Sequence, residues 1–309
     1  MSRAFVFPGQ GAQTIGMGKE LADVYPAARA VFEEVDAALG QTLSETIWSG
    51  DIAELTLTAN AQPALMATSL AAMRALESEG VQISDAQFVA GHSLGEYSAL
   101  AAAGALDISD AARLLRIRGR AMQDAVAVGE GAMAALLGLD FDTVRQIASE
   151  ATQGEVCQAA NDNDPAQVVV SGHRQAVERA IDLAKARGAK RALLLPVSAP
   201  FHCALMQPAA DKMAEALAGV TLKAPVVPVV SNVRAEAVQD PEDIRKLLVA
   251  QVTGSVRWRE SVIWMTQQGV SEFWEIGAGK ALSGMIKRIS RETLARSFAT
   301  PADIATLKD

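Results

Sequence analysis

AQFVAGHSLGEYSALAAAGAL, residues 86–106, joins a β-prone apolar run to an alanine-rich run of helix formers through Gly91-His92-Ser93-Leu94-Gly95. A strand that enters a helix through so few residues must turn sharply. Glycine at both ends of the turn removes the Cβ atoms that would collide there. The pattern is G-x-S-x-G in the strand-to-helix context it requires, and it puts Ser93 in a strained backbone state with its Oγ exposed at the positive end of the following helix. An ordinary glycine turn gives the same five letters by chance. The strand before and the helix after favour a nucleophilic serine.

Working outward, RAFVFPG at residues 3–9 reads as a first strand that breaks into the glycine-rich loop PGQGAQTIGMG. Such a loop suggests phosphate binding, yet both standard templates fail. The dinucleotide fingerprint needs glycine where the chain has Thr14, and a Walker A pattern begun at Gly11 and Gly16 needs lysine where it has Met17. Apolar spacing of three and four predicts helices over residues 17–39, 62–79 and 110–126, with Ser109 and Asp110 as candidate N-caps of the last. From about Gly129 the units shorten to a βαββαβ order, the split unit of a ferredoxin-like domain. The larger pattern resumes with helix 203–218, strand 225–233, helix 241–252 and a strand-turn-helix at VSEFWEIGAGKALSGMIKRI. The expected division is a large parallel-sheet α/β part from residues 1–128 and 199–309, with a small ferredoxin-like subdomain, residues 129–198, inserted into it.

Half of the 309 residues are hydrophobic, enough for a substantial core. No run reaches bilayer length, and the first residues lack the features of a signal peptide, so a cytoplasmic protein is expected. A formal net charge of −8 argues against binding to nucleic acid backbones. Two cysteines, Cys157 and Cys203, and three histidines give neither a disulfide framework nor a zinc spacing. A compact enzyme without metal is the expectation, and monomer is the default.

A serine hydroxyl needs a base within hydrogen-bond reach. His92 neighbours Ser93, but alternation turns adjacent side chains apart, and His173 sits at a helix start in the small subdomain. His202, in SAPFHC where the insertion hands back to the larger part, is the best candidate. An oxyanion at Ser93 would need two donors, commonly the N–H of the next residue, Leu94, and one from a loop after an early strand. The Gln10 N–H, flanked by Gly9 and Gly11, answers the second requirement and gives the opening loop a use. Among the arginines of RLLRIRGR, Arg113, Arg116 and Arg120 read as a solvated face. Arg118 points to the apolar side, where an arginine near a cleft generally has a carboxylate to bind, either a substrate's or that of a protein acid such as Glu96 or Asp124.

FPGQGAQ, NAQPALMA, GHSLGEYSAL, RIRGRAM, CQAANDNDPAQVVVSG, APFHC and GAGKALSGMIKRI together, in this order across nearly the whole chain, resemble the malonyl-CoA:acyl carrier protein transacylases. The resemblance implies an α/β-hydrolase-like core. It also implies that Ser93 accepts an acyl group, His202 is the base, Gln10 and Leu94 are the oxyanion donors and Arg118 is the carboxylate clamp. Gln251 would lie beside the histidine, whose ring a main-chain carbonyl orients in place of a triad acid. Gln62, Asn161, Asn163 and Phe201 join the substrate-binding set. Phe201 departs from the serine that many free-standing members carry there. The implied chemistry is ping-pong, from malonyl-CoA to the phosphopantetheine thiol of acyl carrier protein, with no metal or bound cofactor.

Two other classes share parts of this pattern. A carboxylesterase or thioesterase would use the same elbow and histidine but would have no need of Arg118. A carrier-protein docking scaffold could keep an idle elbow. A cluster of Lys185, Arg187, Lys190 and Arg191 in the small subdomain is a candidate surface for an acidic carrier protein, or an ordinary solvated face.

Overall fold

The computed structural model describes residues 2–308. Five parallel strands build the main sheet, in the order β10-β9-β1-β2-β7, where β1 is Arg3–Phe7, β2 Phe88–Gly91, β7 Val229–Val230, β9 Glu272–Ile276 and β10 Leu294–Phe298. A short antiparallel strand, β8 (Ala237–Val238), closes the far edge against β7. Alternation along β1 and β2 sorts the core. Phe5, Phe7 and Val89 face the large apolar cluster under helices Thr58–Ser78 and Ile108–Asp124, while Ala4, Val6, Phe88 and Ala90 face a smaller one around Trp258 and Phe273.

A second sheet is antiparallel, in the order β4-β5-β3-β6, with β3 Gly131–Leu137, β4 Cys157–Asp164, β5 Gln167–His173 and β6 Arg191–Leu194. Helices Phe141–Ala151 and Arg174–Ala186 cover one face, where Ala134, Leu136, Val168 and Val170 are buried. The other face carries Met133 and Val169 towards the main body and forms one wall of a cleft.

Four local expectations need correction. Pro26 splits the helix expected over 17–39 into Lys19–Val24 and Pro26–Leu39, since proline cannot donate the N–H that a continuous helix needs. The strand expected over 225–233 pairs only at Val229–Val230 before the hairpin to β8. Helix Ile108–Asp124 begins after Asp107, and Ser109 donates to Glu34 instead of capping. Arg116 is not solvated. It is buried against Asn60 at the start of helix Thr58–Ser78, because the packing of two helices at Gly119 brings that face inside.

The strand register fixes where function can sit. Phe7 pairs with Gly91 and Ala90 with Val230, so the segments after β1, β2 and β7 leave the sheet side by side at its carboxyl edge. Among the described residues no helix is long and apolar enough to cross a membrane, and no group of three His, Cys, Asp or Glu side chains is placed to hold a metal ion.

Candidate active site

The turn after β2 is as tight as its glycines suggest. A Cβ on Gly91 would lie 1.9 Å from the Gly95 carbonyl carbon, and one on Gly95 would lie 2.3 Å from the Phe7 carbonyl oxygen. Ser93 between them has φ 55°, a left-handed state that L-residues seldom hold. Asn232, just beyond β7, fastens the turn. Its Oδ1 accepts from the Ser93 N–H at 2.7 Å and its Nδ2 donates to the Gly91 carbonyl at 2.7 Å.

Ser93 Oγ lies 2.8 Å from His202 Nε2, and His202 Nδ1 lies 2.9 Å from the Gln251 main-chain carbonyl oxygen. A carbonyl only accepts, so the ring proton belongs on Nδ1 and Nε2 is left free to take the serine proton. Burial, and after it the charge of Arg118, hold the His202 imidazole down to about 3. The ring is therefore neutral near pH 7, the state a general base must start from. His92 does not reach the hydroxyl. Its Nε2 meets Asn163 Oδ1 at 2.8 Å, and burial lowers its proton affinity as well. His173 sits far along β5, where its Nδ1 accepts from the Val156 N–H.

The remaining sequence candidates converge on one cleft of about 500 Å³ between the two sheets. Gln10, Leu94, Asn161, Asn163 and Phe201 all line it. Neither the Gln10 nor the Leu94 N–H donates to another protein group among the described residues, which leaves both free for an oxyanion. Asn161 and Asn163 reach the cleft through alternation along β4. Asp162 and Asp164 between and after them turn the other way, onto Arg259 and Arg288.

Arg118 is 1% exposed and forms no ion pair among the described residues. Its Nη1 donates to Gln62 Oε1 at 2.7 Å, and its Nη2 to Gln251 Oε1 at 2.8 Å and to Ser93 Oγ at 3.1 Å. Every acceptor around this buried cation is neutral. A guanidinium so placed, open to a cleft, can take an anionic group beside the serine.

Residues 4–301 match the acyl transferase domain family. The chain belongs to this family. Among curated acyltransferases it is 48% identical over 311 residues to the malonyl CoA-acyl carrier protein transacylase of Bacillus subtilis, covering 99% of this chain and 97% of that one. The acyl-carrier-protein-S-malonyltransferase crystal structure from Bartonella henselae is 55% identical with a TM-score of 0.97, covering 99% and 98% of the two chains. A solved complex of a type II PKS acyl-carrier protein with its malonyl-transacylase is 44% identical with a TM-score of 0.96, covering 99% and 98%.

Sequence reasoning about this acyltransferase missed Asn232 as the fastener of the elbow and Thr58, which accepts from Gln10 Nε2 at 3.2 Å. It weighed Glu96 only as a direct partner of Arg118. Asn232 stands two residues after the apolar run PVV, residues 228–230, so an asparagine just past a strand end was the available signal. Glu96, a lone acid in an alanine-rich helix, was the stronger one.

Proposed function

We propose that this acyltransferase carries a malonyl group from malonyl-CoA to the phosphopantetheine thiol of acyl carrier protein through an ester on Ser93. The observation that carries the reading is Arg118: a buried guanidinium with no direct ion pair among the described residues, 3.1 Å from Ser93 Oγ, asks for an acyl group that ends in a carboxylate. The names of its relatives agree with it.

Ser93 Oγ attacks the thioester carbonyl carbon as its proton passes to His202 Nε2. The Leu94 and Gln10 N–H groups hold the oxyanion. The intermediate collapses by expelling the coenzyme A sulfur, which leaves with the proton from His202. The carrier-protein thiol then repeats these steps in reverse, giving its proton to His202 and taking the malonyl group. Gln62 and Gln251 hold the guanidinium fork, and Asn161, Asn163 and Phe201 shape the wall beside it. The substrate also prepares the base. A carboxylate on Arg118 offsets the charge that depresses His202, so proton acceptance strengthens when the correct acyl group is bound.

The same reading divides the chain into an α/β-hydrolase-like part, residues 1–128 and 199–309, and a ferredoxin-like subdomain, residues 129–198. The strand order β4-β5-β3-β6 supports it, being the second, third, first and fourth strands of a split βαββαβ unit, as does the return of the chain after β6 to the sheet that β1 and β2 began. Two buried free cysteines fit a reducing compartment, the cytoplasm.

Intact-mass analysis tests the function. Mixing with malonyl-CoA should add one malonyl group to the chain, and holo acyl carrier protein should remove it intact. Release to water at the same rate with or without carrier protein would make the protein a hydrolase.

A further inference from the structure

Glu96 lies directly behind the elbow, 2% exposed, with no lysine or arginine within ion-pair distance among the described residues. Its Oε2 accepts two hydrogen bonds, from Gln251 Nε2 at 2.7 Å and from the Asn232 N–H at 3.1 Å. Those are the two residues that bracket the site. Asn232 fastens the Ser93 N–H, and Gln251 supplies both the carbonyl under His202 and the side-chain oxygen that holds Arg118.

A primary amide can sit either way round, and the choice here has chemical consequences. With Nε2 towards Arg118, two donors would face each other and the guanidinium would lose an acceptor. An ionised carboxylate can only accept, so it fixes the Nε2 end of Gln251 towards itself and sends Oε1 to Arg118. Gln251 Nε2 also donates to the Ser93 carbonyl at 3.0 Å, which ties the same amide to the nucleophile. The two buried charges, Glu96 and Arg118, are thus kept apart by one amide. Arg118 is steadied without being neutralised.

We propose that Glu96 is a positioning residue for acyl transfer, whose ionised carboxylate orients the Gln251 side-chain amide that holds Arg118 and anchors the residue whose main-chain carbonyl faces His202. This rests on the transacylase reading for the identity of the acyl group. Protonation of Glu96 would place an O–H among groups that now only donate to it, and the Nε2 end of the amide would keep only neutral acceptors, the Ser93 carbonyl among them. Burial lifts the Glu96 carboxyl to about 7, against the opposing hydrogen bonds from Gln251 and Asn232 and the charge of Arg118. The other groups around it are Tyr97 on its own helix, pushed up to about 12, and Ser231. With His202 held at about 3, the raised carboxyl of Glu96 is the one whose value falls near neutrality beside the elbow.

The test is single-turnover acylation of Ser93 by malonyl-CoA from pH 5.5 to 9, with labelling by a fluorophosphonate run in parallel as a probe of the serine and histidine alone. In the unaltered chain the malonyl rate should rise with pH through about 7. Glu96→Gln should lose that rise and fall about ten- to a hundredfold above pH 8, the loss of a charge-assisted hydrogen bond, while Glu96→Asp keeps the rise. In a Gln251→Leu background, Glu96→Gln should cost less than about twofold further, as expected of residues acting through one another. Unaltered rate and pH profile in folded Glu96→Gln overturn the proposal. If Glu96→Gln does not fold, persistence of the rise in Gln251→Leu overturns it instead. Failure of malonyl-CoA to acylate a chain that the fluorophosphonate labels overturns the transacylase reading, and the probe's pH profile in Glu96→Gln then decides whether Glu96 positions the dyad.

Discussion

Arg118 Nη2 and Ser93 Oγ are 3.1 Å apart, and the serine hydroxyl accepts from the arginine while donating to His202. All the groups that accept directly from this guanidinium, Ser93 Oγ, Gln62 Oε1 and Gln251 Oε1, are neutral, and the Glu96 carboxylate is held one amide away. A substrate carboxylate would replace the Ser93 contact with a charged one, releasing the serine towards its base as the acyl group settles. Selectivity and activation then share one residue.

Arg118→Ala should lose malonyl transfer and keep or gain acetyl transfer. A charge-assisted bond contributes about 1.5 to 3 kcal/mol, and the fork offers two, so the malonyl-to-acetyl ratio should fall by at least about a hundredfold. Arg118→Lys should recover only part of it, as the charge returns without the fork. Initial rates with malonyl-CoA and acetyl-CoA check this, and equal losses for both would make Arg118 scaffolding.

Ser93→Ala should show no malonyl adduct by intact mass. His202→Ala should still bind malonyl-CoA but acylate slower by orders of magnitude, because among the described residues the other side chain that bonds Oγ, Arg118, only donates. An undiminished adduct in Ser93→Ala would place the ester on another residue.

Glu96 gives a stability prediction independent of activity. Burial raises its folded value from 4.5 to about 7, so the folded chain binds a proton that the unfolded chain releases between those values. Stability from this group is present below about 4.5 and lost as pH rises through about 7. Glu96→Gln has no such loss, so relative to the unaltered chain it should gain up to about 3 kcal/mol on going from pH 4.5 to pH 8. Urea unfolding at both pH values measures it, and a difference that does not change with pH would mean that Glu96 titrates alike in both states.

Phe201 is 9% exposed in the cleft wall, next to His202. A ring there takes the space that a branch on the acyl α-carbon would need. Phe201→Ser should raise methylmalonyl transfer relative to malonyl several-fold. Competition between the two thioesters reads the ratio directly, and a constant ratio would show that the ring does not face the α-carbon.

The basic cluster of the second sheet divides on inspection of its partners. Lys185 pairs with Asp182 and Arg187 with Glu150, while Lys190 and Arg191 lie exposed at the start of edge strand β6 with no ion pair among the described residues. Reversing Lys190 and Arg191 to glutamate should weaken malonyl transfer to carrier protein about tenfold and leave acylation by malonyl-CoA unchanged. Equal loss in both half-reactions would count against docking there.

How much of this was legible beforehand depended on how local the cause was. The elbow could be read because two missing Cβ atoms and a strand-to-helix switch lie within five residues. Arg118 could be separated from Arg113 and Arg120 by helical spacing alone. Arg116 was misjudged for the same reason: spacing gives the angle between side chains on a helix but not what packs against each side, and Gly119 lets the neighbouring helix close over Arg116. The short extent of β7 was likewise hidden, since an apolar run states what is buried and not how many residues find a strand partner.

The sequence by itself determined the tight turn at Ser93 and the alternation of both sheets, because each follows from backbone sterics and periodicity among near neighbours. The resemblance put Gln251 beside His202, but only the tertiary structure decided that the Gln251 side chain bridges Arg118 and Glu96, that Arg118 has no ion-pair partner among the described residues, and that Glu96 and Asn232 hold the elbow from behind. Those contacts join segments brought together by the register of β1, β2 and β7 at one sheet edge. Hydrogen bonds between residues so far apart in the chain are fixed by that shared edge, which no local pattern encodes.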